Sequence, residues 1–156
     1  MKILAINKKA KFDYEILETY EAGIVLFGYE VKSVKSGQAN LKASYVSFRV
    51  NDKNNHEAYL LKTYIPLYKP AGKRDEYDPE RERKVLLKKK ELDALVSKKQ
   101  ERGLTVIPIK LYTKGSFIKL ELAVVRGKKK YDKREDLKRK DVDRQLRTLT
   151  KQKIRA

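Results

Sequence analysis

Hydrophobic and polar residues alternate along several short stretches of this chain, which is the pattern of half-buried β-strands. In SYVSFRV (44–50) the odd-numbered positions carry Tyr, Ser and Arg, whereas the even-numbered positions from 46 carry Val, Phe and Val. FIKLELAVV alternates in the same way, and similar runs recur elsewhere. Five or six strands are predicted, over 13–27 (one or two strands, bent near Ala22 and Gly23), 44–50, 58–65, 104–113 and 117–125.

Two stretches have the spacing of helices instead. In 28–36 apolar residues recur at near-helical spacing, and Gly37 follows as a C-cap, so a short helix is predicted. In 80–102 a leucine stripe gives one apolar face, and Gly103 ends it. One helix, or two helices separated by a kink, fits this second stretch equally well.

The connections are short except for one loop, 66–79, which contains three prolines and a glycine. Pro108 predicts an edge or a bulge within its strand. Antiparallel strands joined by hairpins, with flanking short helices, commonly close into a small barrel. We therefore predict a mainly β fold: a small closed antiparallel OB-type barrel of about six strands over residues 1–125, followed by a tail over 126–156.

Composition narrows the chemistry that such a barrel can carry. Of the 156 residues, 39 are Lys or Arg and 21 are Asp or Glu, and the net charge of +18 indicates a polyanionic partner, most often nucleic acid. The absence of cysteine excludes disulfides, zinc fingers and thiol nucleophiles, and the single histidine, His56, argues against multi-histidine metal sites. No P-loop, GxGxxG, GxSxG or HExxH pattern occurs, so no enzyme activity, cofactor or metal is expected. No run approaches 18 apolar residues, so a soluble cytoplasmic protein is expected.

The tail is the most basic part of the chain. Residues 126–156 hold 14 of the Lys and Arg residues and 5 of the Asp and Glu residues, a net charge of +9. The tail has few apolar side chains, and burying them would not offset the entropy cost of ordering the chain. The tail is therefore predicted to be disordered until bound, when the apolar residues from Leu137 to Leu149 allow a weakly amphipathic helix. Its cations suit RNA phosphates, and Tyr131 suits stacking on a base. A solvated solubility tail and a membrane-surface helix are the alternatives.

Two further regions and one carboxylate suit an RNA surface. KSVKSG (32–37), with Asn40, Lys42 and Tyr45 beyond it, interleaves cations, an amide and an aromatic ring. Glu21 is either a surface charge or a hydrogen-bond acceptor for base edges and 2′-hydroxyls, and the residues alone leave both open. The second of the two regions is the outer face of the predicted 80–102 helix. This face fits RNA binding and an ordinary solvated helix surface equally well. Its cations are Arg81, Arg83, Lys84, Lys88, Lys89 and Lys90.

Four stretches, taken in their order, resemble the SmpB family, the SsrA-binding proteins that partner transfer-messenger RNA (tmRNA). They are NKKAKFDYEILETYEAGIVLFGYEVKSVKSG (7–37), DPERERKVLLKKKEL (78–92), GLTVIPIKLYTKG (103–115) and GKKKYDKRED (127–136). The resemblance covers nearly the whole chain, residues 7–156. It implies an OB-type barrel with flanking helices, a C-terminal tail that is disordered until bound, and no catalytic activity.

The resemblance also implies partners. Members bind the tRNA-like domain of tmRNA, which is charged with alanine and carried with EF-Tu and GTP to a stalled ribosome for rescue and peptide tagging by trans-translation. The barrel stands where part of a tRNA would be, and the tail enters the decoding centre and the empty mRNA channel, against small-subunit rRNA. A general rRNA-binding or translation-factor OB protein without tmRNA specificity is the alternative, and an RNA-processing enzyme is a distant third.

Carried onto this sequence, the resemblance gives residue-level candidates. The tmRNA-facing positions are Phe12, Glu21, Leu86 and Lys88, with support from Lys32, Ser33 and Asn40, and the basic region adds Arg83 and Lys84 as RNA-binding candidates. The ribosome-binding tail motif is Gly127, Lys128, Lys129, Lys130, Tyr131, Asp132, Lys133 and Arg134. Three of these depart from the family pattern: Phe12 and Tyr131 stand where histidine occurs in other members, and Lys88 stands where asparagine or histidine is common.

Overall fold

The computed structural model describes residues 1–72, 74, 76–128 and 130–155, and of residues 71, 130–132 and 150–155 it describes the backbone alone. Within these ranges the chain forms seven strands, four α-helices and one 3-10 helix, Lys69–Ala71. The strands are β1 (Ile3–Ile6), β2 (Tyr14–Ile24), β3 (Tyr45–Val50), β4 (His56–Leu61), β5 (Arg83–Leu86), β6 (Leu104–Lys114) and β7 (Phe117–Gly127). The helices are α1 (Ala10–Asp13), α2 (Gly28–Lys35), α3 (Lys89–Gln100) and α4 (Lys130–Arg155).

The seven strands of the described ranges join one antiparallel sheet in the order β1-β6-β7-β2-β5-β4-β3. At its centre, β2 and β7 pair from Tyr14 opposite Gly127 to Gly23 opposite Lys119. The ladder has free edges at β1 and β3, and β3 contacts β6 without pairing to it. The mainly β prediction is therefore confirmed, with seven strands instead of about six, but the closed barrel is not confirmed.

The core forms between α3 and the inner face of the sheet, where every second side chain of the strands is apolar. Val124 of β7 and Leu95 of α3 are fully buried in the main cluster. The neighbouring residues of β7 are also buried, because Ala123 and Val125 pack with Ala10 of α1 in a smaller cluster. This second cluster fixes α1 on the sheet, and α1 carries the candidate Phe12.

The sequence pattern misses two strands, β1 and β5. The prediction of helix from residue 80 is wrong, because β5 lies between β2 and β4 and α3 begins only at Lys89. Val85 is buried and Leu86 is exposed, which is the alternation of a strand. In addition, β2 is one strand whose register shifts between Ile16 and Glu18, not a strand bent near residues 22 and 23.

Other local predictions are confirmed. The short helix predicted over 28–36 is α2. The register of β6 against β7 shifts between Pro108 and Lys110, which is the predicted bulge. Where Pro108 interrupts the regular pairing, the Asn7 side chain donates a hydrogen bond to its carbonyl oxygen at 3.0 Å.

The C-terminal segment is helical in the structure. β7 continues to Gly127, two residues into the predicted tail, and α4 follows from Lys130. The prediction that the tail is disordered until it binds RNA concerns a different state and stays a prediction. Among the described helices, none combines the length and the apolar character that a membrane crossing needs.

Candidate nucleic-acid interface

Glu21 lies near the C-terminal end of β2, and its side chain is 41% exposed. The Tyr112 hydroxyl donates a hydrogen bond to Oε2, and the Lys114 ammonium lies 3.0 Å from Oε1. The hydrogen bonds from Tyr112 and Lys114 hold the pKa of Glu21 below its usual value, while burial and Glu21 together raise the pKa of Tyr112. Glu21 is therefore an ionised carboxylate held in one place, with lone pairs left for a donor from outside.

Leu86 is an exposed apolar side chain directly beside this carboxylate's strand. It is 51% exposed, and it pairs opposite Gly23, two residues along β2 from Glu21. A Cβ atom on Gly23 would lie 3.3 Å from the Leu86 Cβ, so the glycine lets Leu86 lie across β2. The result is a small apolar surface next to an anionic acceptor, which suits the sugar or face of a nucleotide.

Two lysines extend this surface. Lys84 is two residues before Leu86 on β5 and therefore points to the same face, where its ammonium lies 3.6 Å from Glu57 Oε1. We call Glu21, Gly23, Lys84 and Leu86 the β2–β5 face. Lys88 lies two residues after the end of β5 and is exposed at the start of α3. The structure thus brings three sequence candidates, Glu21, Lys84 and Leu86, onto adjacent strands, with Lys88 at the end.

A neighbouring group on β3 and β4 was not among the candidates from the sequence. Tyr59 pairs opposite Lys84, and its hydroxyl donates to Glu57. The Arg49 guanidinium lies 4.6 Å from the centre of the Tyr59 ring. A signal existed, because the alternation of 44–50 already set Arg49 on the polar face with Tyr45 and Ser47.

Phe12 lies apart from the β2–β5 face, and the tail contacts it. The ammonium groups of Lys133 and Lys140 lie 6.0 and 5.6 Å from the centre of the Phe12 ring. Lys133 also lies 3.5 Å from Asp13, and Lys128 Nζ donates to the Lys11 carbonyl oxygen at 2.6 Å. RNA can therefore stack on the covered side of this ring only if those tail lysines move.

The tail motif is described in part. Gly127 pairs with Tyr14 at the end of β7, Lys128 also contacts Asp136, and Arg134 is exposed. Lys129 lies outside the described residues. The backbone of Lys130, Tyr131 and Asp132 belongs to α4, but their side chains also lie outside the described part of the chain.

Three supporting candidates, Lys32, Ser33 and Asn40, lie elsewhere. The Lys32 ammonium lies 5.8 Å from the centre of the Tyr68 ring. Asn40 is exposed, and its side-chain oxygen accepts from the Lys42 amide at 2.9 Å. Ser33 is fully buried, and its hydroxyl has no hydrogen-bond partner among the described residues. Because its side chain is inaccessible, RNA cannot contact it without opening of the fold, which corrects its prediction as a surface residue.

Arg83 is also corrected, because it belongs to a buried ionic network. Its side chain is 0% exposed, and its Nε donates to Glu30 Oε2 at 2.8 Å. Arg81 donates to the same carboxylate, Tyr77 Oη lies 3.0 Å from Oε2, and Arg83 Nη1 donates to the Thr63 carbonyl oxygen at 2.8 Å. Arg83 therefore holds β5 to α2 and to the 66–79 loop, and it presents nothing to RNA.

The network shifts two ionisation equilibria. Burial alone would raise the pKa of Glu30. Hydrogen bonds from Arg81 and the Phe27 amide, with the Arg83 charge, outweigh burial and hold the pKa of Glu30 below its usual value. Burial and Glu30 raise the pKa of Tyr77 to about 12. Glu30 is thus ionised at neutral pH, and Tyr77 is neutral.

The exposed side chains of the candidate surface suit contacts with RNA. Within the described ranges, no group of three or more His, Cys, Asp and Glu residues has the geometry to hold a metal ion. The exposed candidates are an oriented carboxylate, an apolar side chain, lysines and stacked arginine, which are the groups that contact RNA bases, sugars and phosphates.

Comparison with known proteins agrees with this chemistry. The family model described as SmpB protein matches residues 4–152. The SsrA-binding protein of Persephonella marina is 48% identical over 155 residues, which cover 99% of this chain and 98% of the relative. The SsrA-binding protein of Thermosipho melanesiensis is 49% identical over 152 residues, which cover 97% of this chain and 99% of the relative.

A solved structure is similar over most of the chain as well. It comes from work described as "tmRNA-SmpB: a journey to the center of the bacterial ribosome". The TM-score is 0.65 at 41% sequence identity, and the match covers 85% of this chain and 93% of the solved chain. The family model, the full-length relatives and the fold agree, and the chain belongs to the SmpB family.

Proposed function

We propose that this protein binds the tRNA-like domain of tmRNA, the SsrA RNA, and delivers it to stalled ribosomes for trans-translation. The observation that carries this proposal is the sequence identity of 48% and 49%, over nearly the whole chain, with proteins named for SsrA binding. The protein acts in the cytoplasm as a binding partner and catalyses no step itself. Alanyl-tmRNA arrives with EF-Tu and GTP, and the protein joins that assembly.

The β2–β5 face is the proposed tmRNA contact. Glu21 accepts hydrogen bonds from a base edge or a 2′-hydroxyl, Leu86 packs against a sugar or base, and Lys84 and Lys88 pair with phosphates. The anchoring of Glu21 by Tyr112 and Lys114 supports this role, because an acceptor that is already fixed loses little entropy on binding. The sheet serves as an OB-type barrel in which β3 packs on β6 without pairing to it.

The tail is the proposed ribosome contact. Its motif 127–134 and the rest of 126–156 enter the decoding centre and the mRNA channel when no mRNA occupies it. The net charge of +9 supports entry into a channel lined by rRNA phosphates. An mRNA in the channel excludes the tail sterically, so the tail distinguishes stalled ribosomes from translating ones.

A titration of the protein against RNA tests this proposal. The tRNA-like domain of tmRNA and an unrelated RNA of equal length are compared at about 50 and 200 mM salt, a range over which six or more phosphate contacts cost on the order of a thousandfold in affinity. We expect a preference for the tRNA-like domain that survives the higher salt. Equal affinities that salt abolishes for both RNAs would instead support a general RNA-binding protein.

Glu21→Ala is expected to weaken binding of the tRNA-like domain about ten- to hundredfold, since a hydrogen bond to a charged group contributes roughly 1.5–3 kcal/mol. Gel-shift titration measures the loss, and thermal melting checks that the sheet stays folded. Glu15→Ala is the matched control, because Glu15 is an exposed carboxylate on the same strand. Equal affinities of the two variants, or a large loss of thermal stability in Glu21→Ala, would make Glu21 a structural residue.

A further inference from the structure

The start of the tail lies against α1. The Lys128 amide donates a hydrogen bond to the Asp13 carbonyl oxygen at 2.9 Å, and the Lys128 ammonium group donates to the Lys11 carbonyl oxygen at 2.6 Å. Farther along the tail, the Lys133 ammonium lies 3.5 Å from Asp13 Oδ1. Because Ala10 is buried between α1 and the sheet, these contacts attach the tail to a fixed support.

A second set of contacts lies on the Phe12 ring. The ammonium groups of Lys133 and Lys140 lie 6.0 and 5.6 Å from the centre of that ring. These two lysines are seven residues apart, which is close to two turns of α4, so they lie on one side of the helix. The helix is therefore held along α1 rather than at one point. We call these contacts the tail dock, which comprises Lys11, Phe12 and Asp13 of α1 and Lys128, Lys133 and Lys140 of the tail.

The tail dock consists of contacts that a partner can replace. The side chains of Lys133 and Asp13 are each 37% exposed, and both water and salt weaken an ion pair in such a position. Apolar burial does not fasten the helix, because Leu137, Val142 and Leu149 of α4 are each at least half exposed. The docked tail is therefore held by weak polar contacts, which a better ligand for α1 would displace.

The tail dock and the tRNA-like RNA need the same surface. Phe12 is a candidate RNA contact, and a base that stacks on the covered side of its ring takes the place of the two ammonium groups. Docking of the tail and binding of RNA at α1 therefore exclude each other. By linkage, each weakens the other by the same factor.

We propose that the free protein holds its tail on α1 and that binding of the tRNA-like RNA at Phe12 releases the tail. This inference rests on the proposed function, since the RNA must contact Phe12. It adds a docked state, in which α4 is withheld from the ribosome while no RNA is bound. Loading with RNA frees the segment that enters the mRNA channel, so an unloaded molecule competes poorly for stalled ribosomes.

The distance between two spin labels reports the docked state directly. The chain has no cysteine, so Glu15→Cys/Gln145→Cys places one label on exposed β2 and one on exposed α4 of the full chain. We expect one narrow distance distribution for the free protein and a broad one once the tRNA-like domain of tmRNA is bound. An unrelated RNA of equal length, added at about 200 mM salt to weaken its phosphate contacts, is expected to leave the distribution narrow. A broad distribution in the free protein, as a disordered tail would give, or a narrow one that persists with the tRNA-like domain bound, would overturn the proposal.

Charge-matched variants test whether the lysines on the ring hold the tail. Lys133→Ala/Lys140→Ala removes both cations from Phe12, and Lys138→Ala/Arg147→Ala removes two exposed tail cations whose described contacts include none with the body. We expect a broad label distribution without RNA for the first variant and a narrow one for the second. The first variant is also expected to bind the tRNA-like domain about threefold more tightly than the second, because the tail no longer competes. A narrow distribution in the first variant, or equal affinities of the two, would count against the tail dock.

The gel-shift titration separates this inference from the proposed function. Absence of binding by the tRNA-like domain would remove both proposals. Specific binding of that RNA with α4 still held on α1 would remove the release of the tail alone and leave the proposed function intact.

Discussion

A chain that ends at Arg126 is expected to bind the tRNA-like domain of tmRNA at about 200 mM salt with nearly the affinity of the full chain, yet to support no peptide tagging on stalled ribosomes. The β2–β5 face and Lys88 lie wholly before the cut. The described contacts of the tail with the body are few, and those of Lys128 and Lys133 are made to α1 rather than to that face. Removing the tail also removes the lysines that lie over Phe12, which leaves its ring open to RNA.

Gel shift measures the binding, and tagging of a nascent chain in a translation extract measures the function. A full-length chain with residues 127–156 shuffled is the control, since it keeps the charge of the tail and loses its motif. We expect the shuffled chain to bind and not to tag. Tagging by the shuffled chain would make the tail a generic polycation, and collapse of RNA binding in the truncated chain would show that body and tail are one binding unit.

Glu30→Ala is expected to destabilise the protein by about 3–5 kcal/mol, the cost of leaving buried charges without their partner. Arg83 would stay buried with no anion beside it, and Arg81 would lose its carboxylate. Denaturant unfolding measures the free energy. Glu82→Ala is the matched control, because Glu82 pairs with Arg49 at 2.6 Å on the surface, where such pairs contribute less than about 1 kcal/mol. Equal losses in the two variants would contradict a special role for the buried network.

The same network predicts an acid limit. A carboxylate whose pKa is lowered by folding stabilises the protein above its unfolded pKa, and this contribution is lost as the pH falls through the folded pKa. Glu30 has such a lowered pKa, so its share of the stability is complete at neutral pH and disappears in acid. The free energy of unfolding, measured from pH 6 downward, is expected to fall less steeply for Glu30→Gln than for the unmodified chain.

The local sequence pattern predicted those strands whose own residues alternate clearly between apolar and polar. The hairpins β3–β4 and β6–β7 and the long strand β2 alternate over enough residues to be read from sequence, and α2 has its helical spacing and a glycine after it. β1 and β5 have four residues each, and β5 lies in a run of Lys, Arg and Leu that is typical of a helix. What makes β5 a strand is pairing with β2 and β4, which are distant in sequence.

The site residues divide in the same way, into those predicted from the sequence around them and those whose surroundings come from distant parts of the chain. Glu21 and Leu86, which were candidates from the resemblance, share a face with Lys84, which was a candidate from the basic region, and their contacts with RNA remain predictions. Arg83 shows the limit of composition, because an arginine among lysines is normally exposed. Its burial depends on Glu30, 53 positions earlier, whose carboxylate accepts two guanidinium groups. The apolar surface of Leu86 likewise depends on Gly23, a contact that no local pattern contains.

The pairing of β2 with β7 also sets the order in which this protein can fold. β2 is made early, but its main partner is roughly 100 residues later, so at about 5–20 residues per second the strand waits some 5–20 s on the translating ribosome before it can pair. An unpaired strand of eleven residues rich in Ile, Leu and Tyr is prone to aggregate. Glu15, Glu18 and Glu21 recur along it at every third position and keep charge on both of its faces. We expect their charges to oppose aggregation of the nascent chain during synthesis, before the sheet exists.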